Sequence, residues 1–153
     1  MKDMKTRKAT RADSLAIAEL TTQLGYPVDV LETEKRLAQI LAKDDNAVYV
    51  ALDGAGTIIG WIQAHTSCFL ESGLRVEIVG LIVADKARRQ GVGRILVQCV
   101  EEWTRESGAK VIVVRSNSKR IESHLFYPAL GFQPTKNQQV YRKIINQMER
   151  KDI

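Results

Sequence analysis

A buried strand, a glycine-containing loop and an amphipathic helix follow one another in the middle of the chain, and a second apolar strand comes next. Residues 76–83 are apolar except for Glu77 and Gly80, which is typical of a strand buried on both faces. Apolar residues then recur at the spacing of one helical face, at Val92, Ile95, Leu96, Cys99, Val100 and Trp103. Residues 111–114 are again apolar. Because such a crossover joins parallel strands with a right-handed connection, the segment predicts a βαβ unit in the sheet.

Shorter elements are predicted on both sides of this unit. Helix-start signals occur at Thr10 with Asp13 and at Asp29 with Glu32. Before the unit we expect a strand over 4–9, a helix ending at Leu24, a helix to about residue 43, and a hairpin of strands over 47–52 and 57–65. After it we expect a helix over 118–130, ended by Gly131, and two last strands around residues 134–137. The fold class is therefore α/β, with a mixed, mostly antiparallel sheet and helices on its faces.

The composition is typical of one ordinary globular domain, which we expect to comprise residues 1–153. The chain has 153 residues, 44% hydrophobic and 27% charged, and no apolar run approaches the roughly 20 residues of a membrane helix. Its charged N-terminus predicts no secretory signal. Cys68 and Cys99 have no second pair, so we expect reduced thiols, no metal site and a cytoplasmic protein. The net charge of +5 suits a polyanionic small ligand, an acidic partner or nucleic acid, and does not choose among them.

The loop between the strand and the helix carries the strongest chemical signal, Arg88-Arg89-Gln90-Gly91-Val92-Gly93-Arg94. A helix N-terminus offers unpaired N–H groups and partial positive charge, and glycines allow an anion to approach the backbone. The arginines add charge-assisted donors. A dinucleotide fingerprint would need glycine where Leu96 stands, and no glycine precedes a lysine as in a P-loop. The loop therefore predicts a different kind of phosphate cradle.

Two motifs resemble the hallmarks of the GNAT superfamily of N-acetyltransferases. The run Arg88-x-x-Gly91-x-Gly93 is similar to its acyl-CoA pyrophosphate motif, and residues 81–83 resemble the end of its bulged fourth strand. Further on, Asn117 and Phe126-Tyr127-Pro128-Ala129-Leu130-Gly131-Phe132 resemble its second hallmark. The order of elements also matches, so the resemblance covers nearly the whole chain. It implies the GNAT fold, with a splayed central pair of parallel strands, and an N-acetyltransferase that takes acetyl from acetyl-CoA to a primary amine.

The resemblance also implies a role for each matching residue. The cofactor site would comprise Leu81, Ile82, Val83, Arg88, Arg89, Gln90, Gly91, Val92, Gly93, Arg94, Asn117 and Tyr127. Backbone groups of Leu81 and Val83 would bond the pantetheine amides, and Gly80 suits the bulge that opens the gap. The hydroxyl of Tyr127 would protonate the departing thiolate. Pro128, directly after Tyr127, is a departure that matters for this role. A proline late in a helix removes a backbone hydrogen bond and favours a kink, which could offset the Tyr127 hydroxyl from the sulfur.

Glu77 is the candidate general base, since it is the only carboxylate in the apolar strand. With regular alternation it shares a face with Leu81 and Val83, but a bulge at Gly80 would reverse this, and Arg75 could pair with it. An acyl-CoA-binding module without catalysis remains the alternative, and the sequence lacks the aromatic-basic interleaving of a nucleic-acid-binding domain. Residues 25–30 and 68–74 are expected to shape the acceptor site. The acceptor itself and a possible homodimer stay open.

Overall fold

The computed structural model describes residues 3–115 and 121–145, with residues 121–124 described by backbone only. Contacts between Cα atoms divide the chain into two compact units, Met1–Arg115 and Ser116–Ile153. No helix among the described residues is long and apolar enough to cross a bilayer.

The first unit contains one five-stranded sheet in the order β1-β2-β3-β4-β5. Neighbouring strands are antiparallel except for the parallel pair β4–β5, as predicted for the crossover around the central helix. The strands are β1 Lys5–Lys8, β2 Asn46–Leu52, β3 Ile58–Phe69, β4 Gly73–Val83 and β5 Ile112–Val114, and the helices are α1 Ser14–Gln23, α2 Val30–Leu41 and α3 Val92–Glu106. The predicted fold class is confirmed.

Helices cover both faces of this sheet. On one face, Ile17 of α1 and Leu37 of α2 join a buried cluster with Val48 and Val50 of β2. On the other face α3 lies so close that a Cβ on Gly60 would stand 3.0 Å from Cγ1 of Val92. The fully buried residues of α3 include Leu96 and Val100 of the predicted apolar face, and also Val97, which that face did not include.

The start of α1 shows how local sequence fixes an element. The Asp13 carboxylate accepts from the N–H of Thr10 at 2.8 Å and from both terminal nitrogens of Arg7 at 2.7 and 2.8 Å. The predicted start signal is therefore confirmed, although a 3-10 turn, Arg11–Asp13, precedes the α-helix. The hydrogen bond from Arg7 is the main reason that the pKa of Asp13 is lowered, and Asp13 is buried.

A bulge divides β4 into two halves. Its pairing with β3 passes from Ala64–Ile78 to Gln63–Gly80, so Val79 is the extra residue, next to the glycine that predicted it. The parallel pairing between β4 and β5 stops at Ile78. These two strands are the predicted splayed pair. The prediction of burial on both faces is wrong for the second half, because Val79 is 47% exposed and Leu81, Ile82 and Val83 are half-buried. No described strand covers that edge.

The second unit contains α4, Ile121–Ala129. Its end is a Schellman motif, with Phe132 N–H bonded to Tyr127 C=O at 3.1 Å and Gly131 N–H bonded to Pro128 C=O at 3.0 Å. Gly131 has a φ of +94°, and a glycine adopts this conformation without the cost that a Cβ would add. Gly131 therefore ends the helix as predicted.

The two last strands predicted around residues 134–137 are wrong for the described part of this unit. No strand is assigned over residues 132–145. Val140, Tyr141, Ile144 and Ile145 are 70–89% exposed. A strand is stable when a partner takes its backbone hydrogen bonds and one face is buried, and apolar residues in a row do not supply either condition alone.

Candidate active site

The loop before α3 has the backbone geometry of an anion cradle. Arg89 and Gly91 both have a positive φ, +65° and +85°, and left-handed residues in a tight turn point successive N–H groups to one side. α3 then begins at Val92, so the N–H groups of its first turn have no acceptor within the helix. Arg89 is the only described non-glycine residue with a positive φ, and such strain typically concentrates at functional sites.

Side chains hold this loop in place and leave its backbone facing outward. Arg88 Nε lies 3.3 Å from Oδ1 of Asp85, and Gln90 Nε2 donates to the carbonyl of Lys86 at 3.2 Å. The side chain of Val92 is 1% exposed and packs into the core, so at this position only the backbone can reach a ligand. A Cβ on Gly91 would meet no atom within 4 Å, which means that the space in front of this glycine is open.

The free edge of β4 presents a second set of backbone groups. The N–H of Ala84 donates to the carbonyl of Ile59 at 2.8 Å, and these residues flank the pair Gly60–Val83. In an antiparallel ladder this bond identifies Gly60–Val83 as a non-hydrogen-bonded pair. The N–H and C=O of Val83 and Leu81 therefore point away from β3, towards the open edge, while those of Ile82 bond β3. This orientation suits the pantetheine contacts predicted for Leu81 and Val83.

Glu77 lies on the face covered by α1 and α2. Val79 reverses the side-chain alternation, so Glu77 shares its face with Gly80 and Ile82, whose ladder partners include Trp61 of the same face. The reversal expected from a bulge is therefore confirmed, and Glu77 does not share a face with Leu81 and Val83. Trp61 fills the space above Gly80, since a Cβ there would stand 2.8 Å from its ring.

Arg115 and His65 lie next to the Glu77 carboxylate. Arg115 Nη1 donates to its Oε2, and Arg75, the partner suggested by the sequence, does not pair with it among the described residues. His65 Nε2 is 3.9 Å from Oε1, and His65 Nδ1 and Ser67 Oγ share a hydrogen bond of 3.1 Å. The Glu77 side chain is 13% exposed.

Sequence reasoning missed His65 and Arg115 as parts of this cluster. The signal for Arg115 is its position directly after β5, the strand parallel to β4, because the register of that pair sets Glu77 beside Val113, two residues before Arg115. The signal for His65 is its place in the hairpin, since the ladder sets it opposite Glu77.

Tyr127 belongs to the second unit, in the last turn of α4. Its ring makes edge contacts with Phe126 and Phe132, with centroid distances of 5.0 and 5.5 Å, and the residue is half-buried. Pro128 lies inside this last turn. Asn117 falls outside the described residues. The loop, the β4 edge and Glu77 thus all belong to the first unit, and Tyr127 belongs to the second.

Comparisons with known proteins agree with this geometry. Residues 15–132 match the model of the acetyltransferase (GNAT) family. The chain is 29% identical over 140 residues to the aminoglycoside N(6')-acetyltransferase type 1 of Stenotrophomonas maltophilia, a match that covers 89% of this chain and 90% of that protein. It is 31% identical over 90 residues to the aminoalkylphosphonate N-acetyltransferase of Salmonella typhimurium, covering 58% of each.

Solved structures show the same fold. The aminoglycoside N-acetyltransferase AAC(6')-Iy in complex with CoA superposes with a TM-score of 0.83 at 24% identity, covering 92% of this chain and 94% of that one. The family match extends over more than half of the sequence, and it confirms the prediction of an acetyl-CoA-dependent N-acetyltransferase. The chain belongs to the GNAT family of acetyltransferases.

Proposed function

We propose that this N-acetyltransferase moves acetyl from acetyl-CoA to a primary amine by direct attack in a ternary complex, with Glu77 as proton acceptor and Tyr127 as proton donor. The observation that carries the proposal is the pair of backbone surfaces in the first unit. The loop before α3 offers N–H groups to a pyrophosphate, and the free edge of β4 offers the backbone of Leu81 and Val83 to an extended arm.

The cofactor is held by backbone groups and steered by charge. The N–H groups from Gln90 through Arg94 bind the pyrophosphate, and Arg88, Arg89 and Arg94 supply positive charge around it. An N–H at Leu81 or Val83 also stabilises the oxyanion that forms when the amine attacks the thioester carbonyl. Asn117 stays a predicted contact to the pantetheine end.

Proton transfer is the demanding part of the reaction. A lysine-like amine has a pKa of about 10.4, so near pH 7 its protonated state raises the barrier by about 4–5 kcal/mol. A carboxylate that takes this proton recovers part of that barrier. Glu77 suits the task by its burial next to the β4 bulge, and its bond to Arg115 keeps the carboxylate in one orientation. The thiolate, with an ordinary pKa of about 8.5, takes a proton from the Tyr127 hydroxyl.

The acceptor is expected to carry a primary amine. The relatives named above act on aminoglycosides and on aminoalkylphosphonates, which share a primary amine and differ in charge. Tyr26, in the connection between α1 and α2, is 45% exposed and stays a predicted acceptor contact. We expect the reaction to take place in the cytoplasm, and a homodimer stays possible for such a chain.

One observation favours the alternative of an acyl-CoA-binding module without catalysis. Pro128 lies directly after Tyr127 inside α4, and a proline there constrains the backbone that aims the hydroxyl. Both functions require acetyl-CoA to bind, and only the enzyme releases CoA when an amine is added.

Thiol release from acetyl-CoA with a panel of primary amines tests the proposal. We expect release above the rate of hydrolysis with at least one amine, and Glu77→Gln should lower turnover by about 10²- to 10⁴-fold. The loss should be largest at low pH, because the fraction of neutral amine in solution is smallest there and the reaction depends most on a general base. The exposed Glu102 of α3, paired with Arg105, gives the control Glu102→Gln, which should behave as wild type. A Glu77→Gln enzyme with the pH profile of wild type would remove Glu77 from the mechanism.

A further inference from the structure

Arg75 stands beside Glu77 on the same face of β4. The two residues alternate before the bulge, so their side chains point to the same side of the sheet, opposite Ser67 and His65 of β3. The guanidinium carbon of Arg75 lies 4.0 Å from the centre of the Phe69 ring. This stacking fixes the plane of the guanidinium group and keeps part of it away from water.

The donors of Arg75 lack an acceptor within the described part of the chain. Its Nε is buried and has no hydrogen-bond partner there. The neighbouring carboxylate, Glu77, is bonded to Arg115 instead. Because only Nε is buried, the two terminal nitrogens are the donors of Arg75 that an outside acceptor can reach.

The charge of the cluster indicates which ligand fits. Arg75 and Arg115 carry two positive charges against one negative charge on Glu77, while the cross-strand neighbours of Arg75 and Glu77 are Ser67 and His65. A polycationic acceptor would be repelled by the net charge of these three side chains. A planar guanidinium binds carboxylate, phosphate and phosphonate oxygens in pairs.

We infer that Arg75 binds an anionic group of the acceptor and thereby places the acceptor's amine at Glu77. Residues two apart in a strand are separated by about 6.7 Å, which a short chain between amine and anion can span. The acceptor class is therefore small aminoalkyl acids that carry a phosphonate, phosphate or carboxylate. This inference rests on the proposed N-acetyl transfer at Glu77 and adds the charge of the substrate.

Four acceptors of similar length test it: 2-aminoethylphosphonate, β-alanine, ethanolamine and 1,3-diaminopropane. We expect wild-type kcat/KM to be on the order of 10- to 100-fold higher for an anionic acceptor than for ethanolamine, the range of one charge-assisted contact. The two acids distinguish phosphonate from carboxylate. Arg75→Gln should remove this preference by raising KM for the anionic acceptors, while its turnover of ethanolamine should stay within about threefold of wild type. Arg75→Lys should keep part of the preference.

The matched control is Arg105→Gln, which removes an exposed arginine of α3 paired with Glu102 and should leave the preference intact. Preference for ethanolamine or the diamine in wild type, or an equal loss for all acceptors in Arg75→Gln, would overturn the inference. If no acceptor is acetylated although acetyl-CoA binds, the proposed function fails by itself. Calorimetry with 2-aminoethylphosphonate on CoA-saturated protein then decides about Arg75: binding that Arg75→Gln abolishes supports the site, and no binding to wild type overturns it.

Discussion

Replacing Gly91 by valine should separate the cofactor cradle from the stability of the fold. Gly91 precedes α3 with a φ of +85°, and a Cβ there would meet no atom within 4 Å. The Cβ of the new side chain therefore creates no clash in the protein. It does strain the backbone, because a β-branched residue rarely adopts a positive φ, and it fills the open space in which the pyrophosphate is expected.

Two free energies follow from this geometry. Left-handed strain should lower the unfolding free energy of the free protein by about 1–2 kcal/mol. Acetyl-CoA at 100 times its dissociation constant stabilises wild type by about 2.7 kcal/mol, which corresponds to a rise in melting temperature of about 5–11 °C for a chain of this size. In Gly91→Val we expect a lower melting temperature without ligand and almost no rise with it. Differential scanning fluorimetry with and without acetyl-CoA measures both.

Gly108 provides the matched control at the other end of α3. Its φ is +81°, and a Cβ there would also meet nothing within 4 Å, so Gly108→Val introduces similar strain away from the loop. Its melting temperature should fall by a similar amount, while the rise with acetyl-CoA should match wild type. A full acetyl-CoA shift in Gly91→Val would refute the assignment of the cradle. Equal loss of the shift in both variants would mean that strain in α3, and not the loop, governs binding.

Two further substitutions test single hydroxyl and carboxyl groups. Tyr127→Phe should lower turnover by about 10- to 1,000-fold with acetyl-CoA affinity nearly unchanged, and near-wild-type turnover would mean that the hydroxyl does not protonate the thiolate. Asp13→Asn should lower the unfolding free energy by about 1–3 kcal/mol at pH 7, because the charged acceptor for Arg7 is lost. Since the folded pKa of Asp13 is lowered, that contribution is present above the unfolded value of about 3.9 and is lost as pH falls through the folded value. Urea titrations of both proteins should therefore begin to converge near pH 4 and converge fully only below the folded pKa, and a constant difference would contradict the assignment.

Elements with strong local signals were predictable from the sequence. Most of the apolar face predicted for α3 is buried in the structure, including Leu96 and Val100. Gly131 ends α4 because a left-handed residue is required there, and Asp13 begins α1 through its own side chain. In each case the interactions that decide the conformation lie within a few residues of one another, so the sequence contains the whole cause.

Features that depend on distant partners were less predictable. Residues 132–145 contain enough apolar side chains to suggest strands, yet the decisive condition for a strand is a neighbour that accepts its hydrogen bonds. β4 was expected to be buried on both faces, because apolar composition does not reveal that β5 stops pairing at Ile78. The half of β4 that the structure leaves open is the half that the cofactor is expected to cover.

The position of Glu77 combines both kinds of information. The sequence predicts that Glu77 lies in a buried strand before Gly80. The face of the sheet on which its side chain lies depends on which residue of β4 is the extra one in the pairing with β3. The ladder answers this by passing from Ile78 to Gly80. Glu77 then lies opposite His65 and beside Arg75, on the face away from α3. In the proposed mechanism the bulge would therefore separate two tasks on one strand: backbone groups beyond it would bind the cofactor at the open edge, and charged side chains before it would bind the acceptor.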